Sequence, residues 1–446
     1  MNQQQVTREL QTFYKTLGGS GELPLEPTDP SYVPIFEKCP QKDPIERLRV
    51  RINLAESQSV NLLTGFRGNG KSTQLKRLKR LLEQDGCHVV LVDMTQYVLM
   101  TKPLEISDFI LSLMAALAAE GERENFGTIV AEYWQQVVKF LKSEVKFDGV
   151  EVGGDPASLA LQLKTEPTFK QQLQEALKGH VTTLVKDARA YVVNLVEAIR
   201  QRAMDPDKKV VLLVDSVEQI RGVGTEASEV HTSIVNLFSG HAANLRFDML
   251  HVVYTVPPFL IPLAPNTGRN MGGGSVTSWP NIHVRCSSGA PDDHGLQIMR
   301  DIIARRYAGW GQVFSKEQLD RLAAASGGDV RDFFRLIREC LISCMNTVDA
   351  GCRVTDAMLE YAEAELRREL LPIPTEDGRW LAQIHALKDT ALESVADLPR
   401  LARFLDSNLI MNYLNGEPWY DIHPLLEREI GKYQPARSQA DDAAST

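Results

Sequence analysis

The sequence lacks the features that would place it in a membrane, outside the cell or around a structural metal. Its longest apolar stretch, Met249 to Ala264, carries His251, Pro257, Pro258 and Pro262, and is too short and too interrupted to cross a bilayer. The opening MNQQQVTREL has no apolar core of the secretory kind, so no leader is expected there. Six cysteines among 446 residues (Cys39, Cys87, Cys286, Cys340, Cys344 and Cys352) form no CxxC pair and have no histidines at zinc-like spacing. Cys340 and Cys344, four apart on an expected helix, read as small buried hydrophobes. An excess of positive charge is also missing. The 49 Lys+Arg against 58 Asp+Glu leave a net charge of −9, with a pI near 5.6. That excludes a protein that coats nucleic acid and leaves room only for a local basic patch. These absences together give the expectation of a reduced, cytoplasmic, soluble chain.

What is present is an ordinary globular composition, 43% hydrophobic and 24% charged. At roughly 100–200 residues per domain, the length suggests two to four domains. Residues 1–40 hold GGSGELPLEPTDPSYVP and read as an irregular arm. A helix is predicted from Asp43, followed by the apolar strand SVNLLTG, a glycine-rich loop, a helix ending at Asp85-Gly86, and a second strand, CHVVLVDMTQ. This is the βαβ order of a parallel sheet. Residues 103–205 read as a helical insertion, with FKQQLQEALKGHVTTLVKDARAYVVNLVEAIRQRA as one amphipathic helix and FDGVEVGGDPAS as the clear break. The sheet resumes with KKVVLLVDS and FDMLHVVYT, and NIHVRCS is taken as its last strand. The fold class predicted for 41–290 is therefore α/β, a doubly wound parallel sheet of the P-loop NTPase kind. Residues 291–352 read as a small helical bundle. In 353–433, helices near 358–371, 379–387 and 398–406 precede two apolar runs around Asn415-Gly416, a hairpin signal that suggests a winged-helix-like domain. The tail 434–446 reads as disordered.

The strongest chemical signal is Gly65-Phe-Arg-Gly68-Asn69-Gly70-Lys71-Ser72-Thr73, which matches GxxxxGK[ST] between a strand and a helix. Glycines let backbone N–H groups turn inward on phosphates, Lys71 reaches the β and γ oxygens, and Ser72 ligates Mg²⁺. The bland alternative is a glycine turn with a stray lysine. The second signal is Val210-Val-Leu-Leu-Val-Asp215, an apolar strand ending on a carboxylate, suited to holding Mg²⁺ beside such a loop. The basic run Lys76, Arg77, Lys79 and Arg80 alternates with Leu75, Leu78 and Leu82, which is the pattern of a solvated helix face. Trp419, Tyr420 and His423 read as core and wing packing, and His251 and His385 as satisfied core histidines.

With these residues in view, the chain resembles the AAA+ ATPases. More narrowly, it is similar to the branch that holds the origin-recognition initiators and the STAND signalling ATPases. The resemblance rests on the P-loop, the Asp-ended strand, the next strand ending at Thr255, and Gly327-Gly328-Asp329-Val330-Arg331 in the helical lid. It implies ATP and Mg²⁺ as cofactors, with Ser72 and Asp215 on the metal. Thr255 would be sensor 1, or only a strand-ending threonine. Arg331 would be sensor 2, touching the γ-phosphate from the lid, or a solvated helix arginine. Arg269 lies where such enzymes place an arginine finger, though its glycine-rich surroundings equally suit a mobile loop. In one respect the chain departs from the family: the residue after Asp215 is Ser216 and not the usual glutamate. Glu218 is then either the general base or a surface acid at a helix start, and hydrolysis is expected to be slow.

The resemblance leaves three functional readings. The first is an ATP-driven switch that controls its own assembly and a separate effector protein, for example in a prokaryotic defence or stress module. The second is an initiator or transposition-regulator ATPase that assembles on duplex DNA through the winged helix. The third is a nucleotide-binding structural subunit without hydrolysis. Between Arg353 and Lys432 acids outnumber bases, and the expected third helix, LPRLARFLDSNL, offers only Arg400 and Arg403 to phosphates. That favours a homo-oligomer with a protein partner over a DNA machine.

Overall fold

The computed structural model describes residues 3–18, 24–37, 42–143, 145, 156–222, 226–273, 276–347, 353–413 and 418–433. The expected tail 434–446, the Asn415-Gly416 turn, the 147–155 break, Cys39 and Cys352 lie outside the described residues. The chain forms two units. One holds Pro24–Pro27 and Phe36–Trp279; the other holds the described residues of 1–23, 28–35 and 280 onward.

Helix α1 (Gln3–Thr16) corrects the expectation of an irregular arm over its whole length. Val6, Leu10, Phe13 and Leu17 recur at helical spacing before the glycine- and proline-rich stretch begins. Leu10, Phe13 and Leu17 are buried, and Phe13 stacks on Tyr307 with ring centroids 4.4 Å apart. The arm's irregular composition starts only at Gly18.

In the first unit, α2 (Pro44–Leu54) starts on Asp43, whose carboxylate accepts from the Ile45 N–H. It leads into β1 (Ser59–Thr64), α3 (Lys71–Gln84) and β2 (His88–Asp93). The insertion follows as α4 (Ile106–Arg123), α5 (Gly127–Ser143), α6 (Pro156–Thr165), α7 (Pro167–Leu177) and α8 (Val181–Ala203). The single helix expected over 169–203 is two, because Gly179 takes a left-handed φ of 87° between α7 and α8. Helix α4 is apolar almost all round and is buried along most of its length, as an interior helix must be. After it come β3 (Val210–Asp215), α9 (Ala227–Val235), β4 (Leu250–Val256), the short turns α10 (Leu260–Leu263) and α11 (Thr267–Asn270), and β5 (Val276–Ser278).

All five strands are parallel, in the order β2-β3-β4-β1-β5. Strands β3 and β4 are buried at every residue, which is why they read as unbroken apolar runs and not as alternating ones. The order places the carboxyl ends of β1 and β3 on either side of β4, at one edge of the sheet. The last strand is not the expected Asn281–Ser287. It is the short Val276–Ser278, paired with Leu62–Thr64 of β1. The alternation in NIHVRCS has another cause: Ile282 and Val284 are buried in the core of the second unit, where the Ile282 N–H donates to Gly328 O at 3.2 Å.

That second unit continues with α12 (Asp293–Arg306), α13 (Lys316–Ala325), α14 (Val330–Asn346), α15 (Asp356–Glu369), α16 (Thr375–Leu387) and α17 (Leu398–Asp406). It closes on an antiparallel hairpin, β6 (Ile410–Tyr413) with β7 (Trp419–Ile422). Among the described residues, no helix is long and apolar enough to cross a membrane.

Candidate functional site

The loop between β1 and α3 needs its glycines for two different reasons. Gly68 and Gly70 sit at φ of 89° and 87°, a region side chains with a Cβ rarely adopt. Gly65 is constrained by space: a Cβ there would lie 2.5 Å from the Trp279 carbonyl oxygen. Gly70 opens α3 with no side-chain cap, so the first-turn amides keep their positive end for an anion. Thr73 is committed elsewhere, its hydroxyl accepting from the Leu25 N–H at 3.1 Å.

Lys71 is only 3% exposed. Its ammonium donates to Gly65 O at 2.8 Å and Phe66 O at 2.6 Å, with Asn69 Oδ1 at 3.5 Å. Glu218 Oε1 lies 3.4 Å away and forms a buried ion pair with it. Glu218 is therefore not the surface acid that the sequence left open. Ser216 adopts a left-handed φ of 71°, which reverses the chain at once after β3. The turn Val217–Gln219 then folds the carboxylate back towards the loop, where Glu218 is 4% exposed and its Oε2 has no hydrogen-bond partner. An orphaned buried oxygen of this kind is costly unless something else uses it.

Asp215 ends β3 and is also buried. It accepts from the Ser216 N–H at 2.7 Å and from the Ser72 hydroxyl. Burial, and then the neighbouring Glu218 charge, push its pKa up to about 7, with Asp93 adding a smaller push. Asp93 stands opposite Asp215 in the β2–β3 register and accepts from the Thr95 N–H at 3.0 Å. Thr255, on β4 between the two site strands, has its hydroxyl occupied. It accepts from the Val217 N–H at 3.1 Å and donates to Val214 O at 3.3 Å. Its contact is with the backbone that carries Asp215 and Glu218.

A residue that sequence reasoning missed is Trp279, just beyond β5. Its indole N–H donates to Asn69 O at 2.8 Å, while Asn69 Nδ2 donates back to Trp279 O at 2.9 Å. The Trp279 N–H donates to Thr64 O at 2.7 Å, so the tryptophan closes the loop from β5. No local signal marks it, since 210 residues separate the partners.

Arg269 is exposed on the α11 turn. Arg331 is exposed on the first turn of α14 in the second unit, beside the buried capping residue Asp329. Three members of the basic run on α3 are held: Lys76 pairs with Glu26 at 2.7 Å, Arg77 with Asp43 at 2.6 Å, and Lys79 donates to Val89 O at 3.2 Å, while Arg80 is exposed. Arg400 and Arg403 both bind Asp377, which is 3% exposed, and lie over the rings of Trp380 and Phe404. Trp419 stacks on Tyr413 at 4.3 Å and His423 is fully buried. His251 binds Ser59 Oγ at 3.0 Å and His385 binds Asp421 at 2.7 Å. Cys340 and Cys344 are buried thiols.

No family model matches the sequence, and no curated protein matches it. Among solved structures, the ORC2 protein of Aeropyrum pernix in its ADPNP–ADP complexes is similar over 94% of this chain and 98% of its own, at 9% identity and a TM-score of 0.38. The Aeropyrum pernix ORC1 protein in complex with DNA aligns over 90% of this chain and 93% of its own, at 13% identity and a TM-score of 0.34. A Thermotoga maritima RuvB variant aligns over 90% and 95%, at 12% identity and a TM-score of 0.34. Likenesses this distant leave function to the residues themselves.

Proposed function

We propose that the chain binds ATP with Mg²⁺ at the β1–α3 loop and hydrolyses it slowly, as an AAA+-type switch. One observation carries this reading: Lys71, Ser72, Asp215 and Glu218 meet at one sheet edge, with a buried acid pair behind a glycine loop. The loop amides from Gly65 to Ser72 cradle the phosphates, and Lys71 transfers its ammonium from loop carbonyls to the β and γ oxygens. Ser72 and Asp215 are the residues that would hold magnesium, which neutralises phosphate charge during transfer. They fit it by donor chemistry, because a hydroxyl and a buried carboxylate already joined by a hydrogen bond are the oxygen donors that a hard divalent cation takes.

Glu218 then accepts the proton of the attacking water, through the oxygen that now lacks a partner. Thr255 acts as a positioning residue, fixing the backbone of Val214 and Val217 around the two acids. Arg331 is assigned to the lid contact with the γ-phosphate, and Arg269, exposed on its turn, to a neighbouring subunit. In this reading 291–352 serves as the lid and 353–433 as a winged-helix-like module that docks protein. Its candidate DNA-reading arginines are already bound to Asp377, which favours the switch over a DNA machine.

The test is Lys71→Ala in titration calorimetry. ATP binding should disappear, because the loop amides alone cannot balance the phosphate charge. Wild-type affinity in that variant would remove the loop from the nucleotide site.

A further inference from the structure

The oxygen that Asn69 holds belongs to the peptide bond between Trp279 and Pro280. That bond is one of the places where the chain passes from one unit to the other, and the last of them along the sequence. We propose that Asn69 and Trp279 form a relay that reports the state of Lys71 to this linking peptide. The inference rests on the nucleotide reading above and adds a regulatory role to the same site.

The geometry gives the relay a direction. Asn69 places Oδ1 towards the Lys71 ammonium, at 3.5 Å, and Nδ2 on Trp279 O, at 2.9 Å. The opposite amide orientation would set NH₂ against the ammonium and oxygen against oxygen, so the two neighbours jointly fix the side chain. All three residues are nearly closed to water: Lys71 is 3%, Asn69 4% and Trp279 2% exposed. In such surroundings linked hydrogen bonds polarise one another and no water replaces a lost partner. The indole has a single donor, and it is spent on Asn69 O, the carbonyl of the peptide that leads into Gly70.

When phosphates draw the ammonium away, Asn69 Oδ1 loses its cation, and the Asn69–Gly70 peptide shifts to present its amide. Both changes reach Trp279, one through its carbonyl and one through its ring. Helix α3 and the sheet need no movement for this. The signal is the strength of two hydrogen bonds.

The experiment combines calorimetry with tryptophan emission and hydrogen exchange of the 281–287 amides, with ADP as the probe. In the wild type, emission and exchange should both change, with the midpoint that calorimetry gives. Trp279→Phe should abolish the emission change. Asn69→Asp keeps the shape and the contact with Lys71 but sets an acceptor against Trp279 O. At ADP concentrations that saturate it in calorimetry it should lose both responses, the loss of affinity from its added charge being read separately in the same titration. Asn69→Ala serves where Asn69→Asp does not fold. Combined with Trp279→Phe it should weaken affinity by less than the product of the single effects. Wild-type-sized responses in either Asn69 variant overturn the relay, as does calorimetric binding by wild type with no response at all. Absence of ADP binding in wild type instead removes the nucleotide reading, and the relay with it.

Discussion

Neutralising Glu218 should move binding and turnover in opposite directions. Glu218→Gln preserves shape but removes the charge that faces the Lys71 ammonium at 3.4 Å. At an effective dielectric of about 20, two unit charges at that distance attract by roughly 5 kcal/mol before desolvation is counted. Desolvation offsets most of this in a buried pair. If about a quarter survives as a barrier to releasing the lysine, phosphate binding in the variant gains ~1.2 kcal/mol, or about eightfold in affinity. The lysine is not stranded, since Gly65 O and Phe66 O already accept from it. Turnover should fall by ~10²-fold or more, the usual scale for a lost general base. Calorimetry with ATP and a phosphate-release assay on the same preparation read both effects. Slower turnover with weaker binding would mean that Glu218 merely holds the loop together. Unchanged turnover would remove it from the chemistry.

Three further outcomes follow from described contacts. Asp215 has its pKa raised from 3.8 to about 7, so its contribution to stability is complete below about pH 4 and is lost as pH rises through about 7. Asp215→Asn should therefore shrink the fall in Tm between about pH 5 and about pH 8 without nucleotide. Some fall remains, because burial and Asp332 push Asp329 to about 7 in the same direction; an undiminished fall would show that Asp215 does not titrate there. Arg269→Ala should hydrolyse poorly by itself and recover when mixed with Lys71→Ala protein, and a co-assembled mixture without recovery refutes a shared site. Removing Arg400 and Arg403 together leaves Asp377 buried without a cation and should destabilise the fold by ~3 kcal/mol in denaturant melts. A change in the salt dependence of duplex-DNA binding, with stability intact, would revive the DNA reading.

Four of the five sheet strands were legible because each is a closed apolar run bounded by turn residues, as in VVLLVD. The fifth was not, because Val276–Ser278 is too short to show a pattern, while Ile282 and Val284 alternate for a different core. The helix at Gln3–Thr16 was hidden by the composition of the residues that follow it. At the site, the loop and Asp215 are visible as local motifs because each is spelled by a short run of consecutive residues. The burial of Glu218 depends on a backbone φ at Ser216, and the role of Trp279 on β5 lying beside β1. Neither has a signature within a window of neighbouring residues. The hydroxyl of Thr255 could be assigned to the sheet edge but not to its partners, which come from β3.

The left-handed turn at Ser216 bears on how such chains are sorted by pattern. A search that requires two consecutive acids at the end of the third strand would discard this sequence as an inert relative. The reversal lets the backbone deliver a carboxylate from two positions further along, within 3.4 Å of the loop lysine. Substituting glutamate at position 216 would then not restore a missing group. It would crowd a third carboxylate against Asp215, at a left-handed position where Ser216 holds only a small side chain. In this chain the spacing of the acids along the sequence and the shape of the turn work only together, and a change in either needs a matching change in the other.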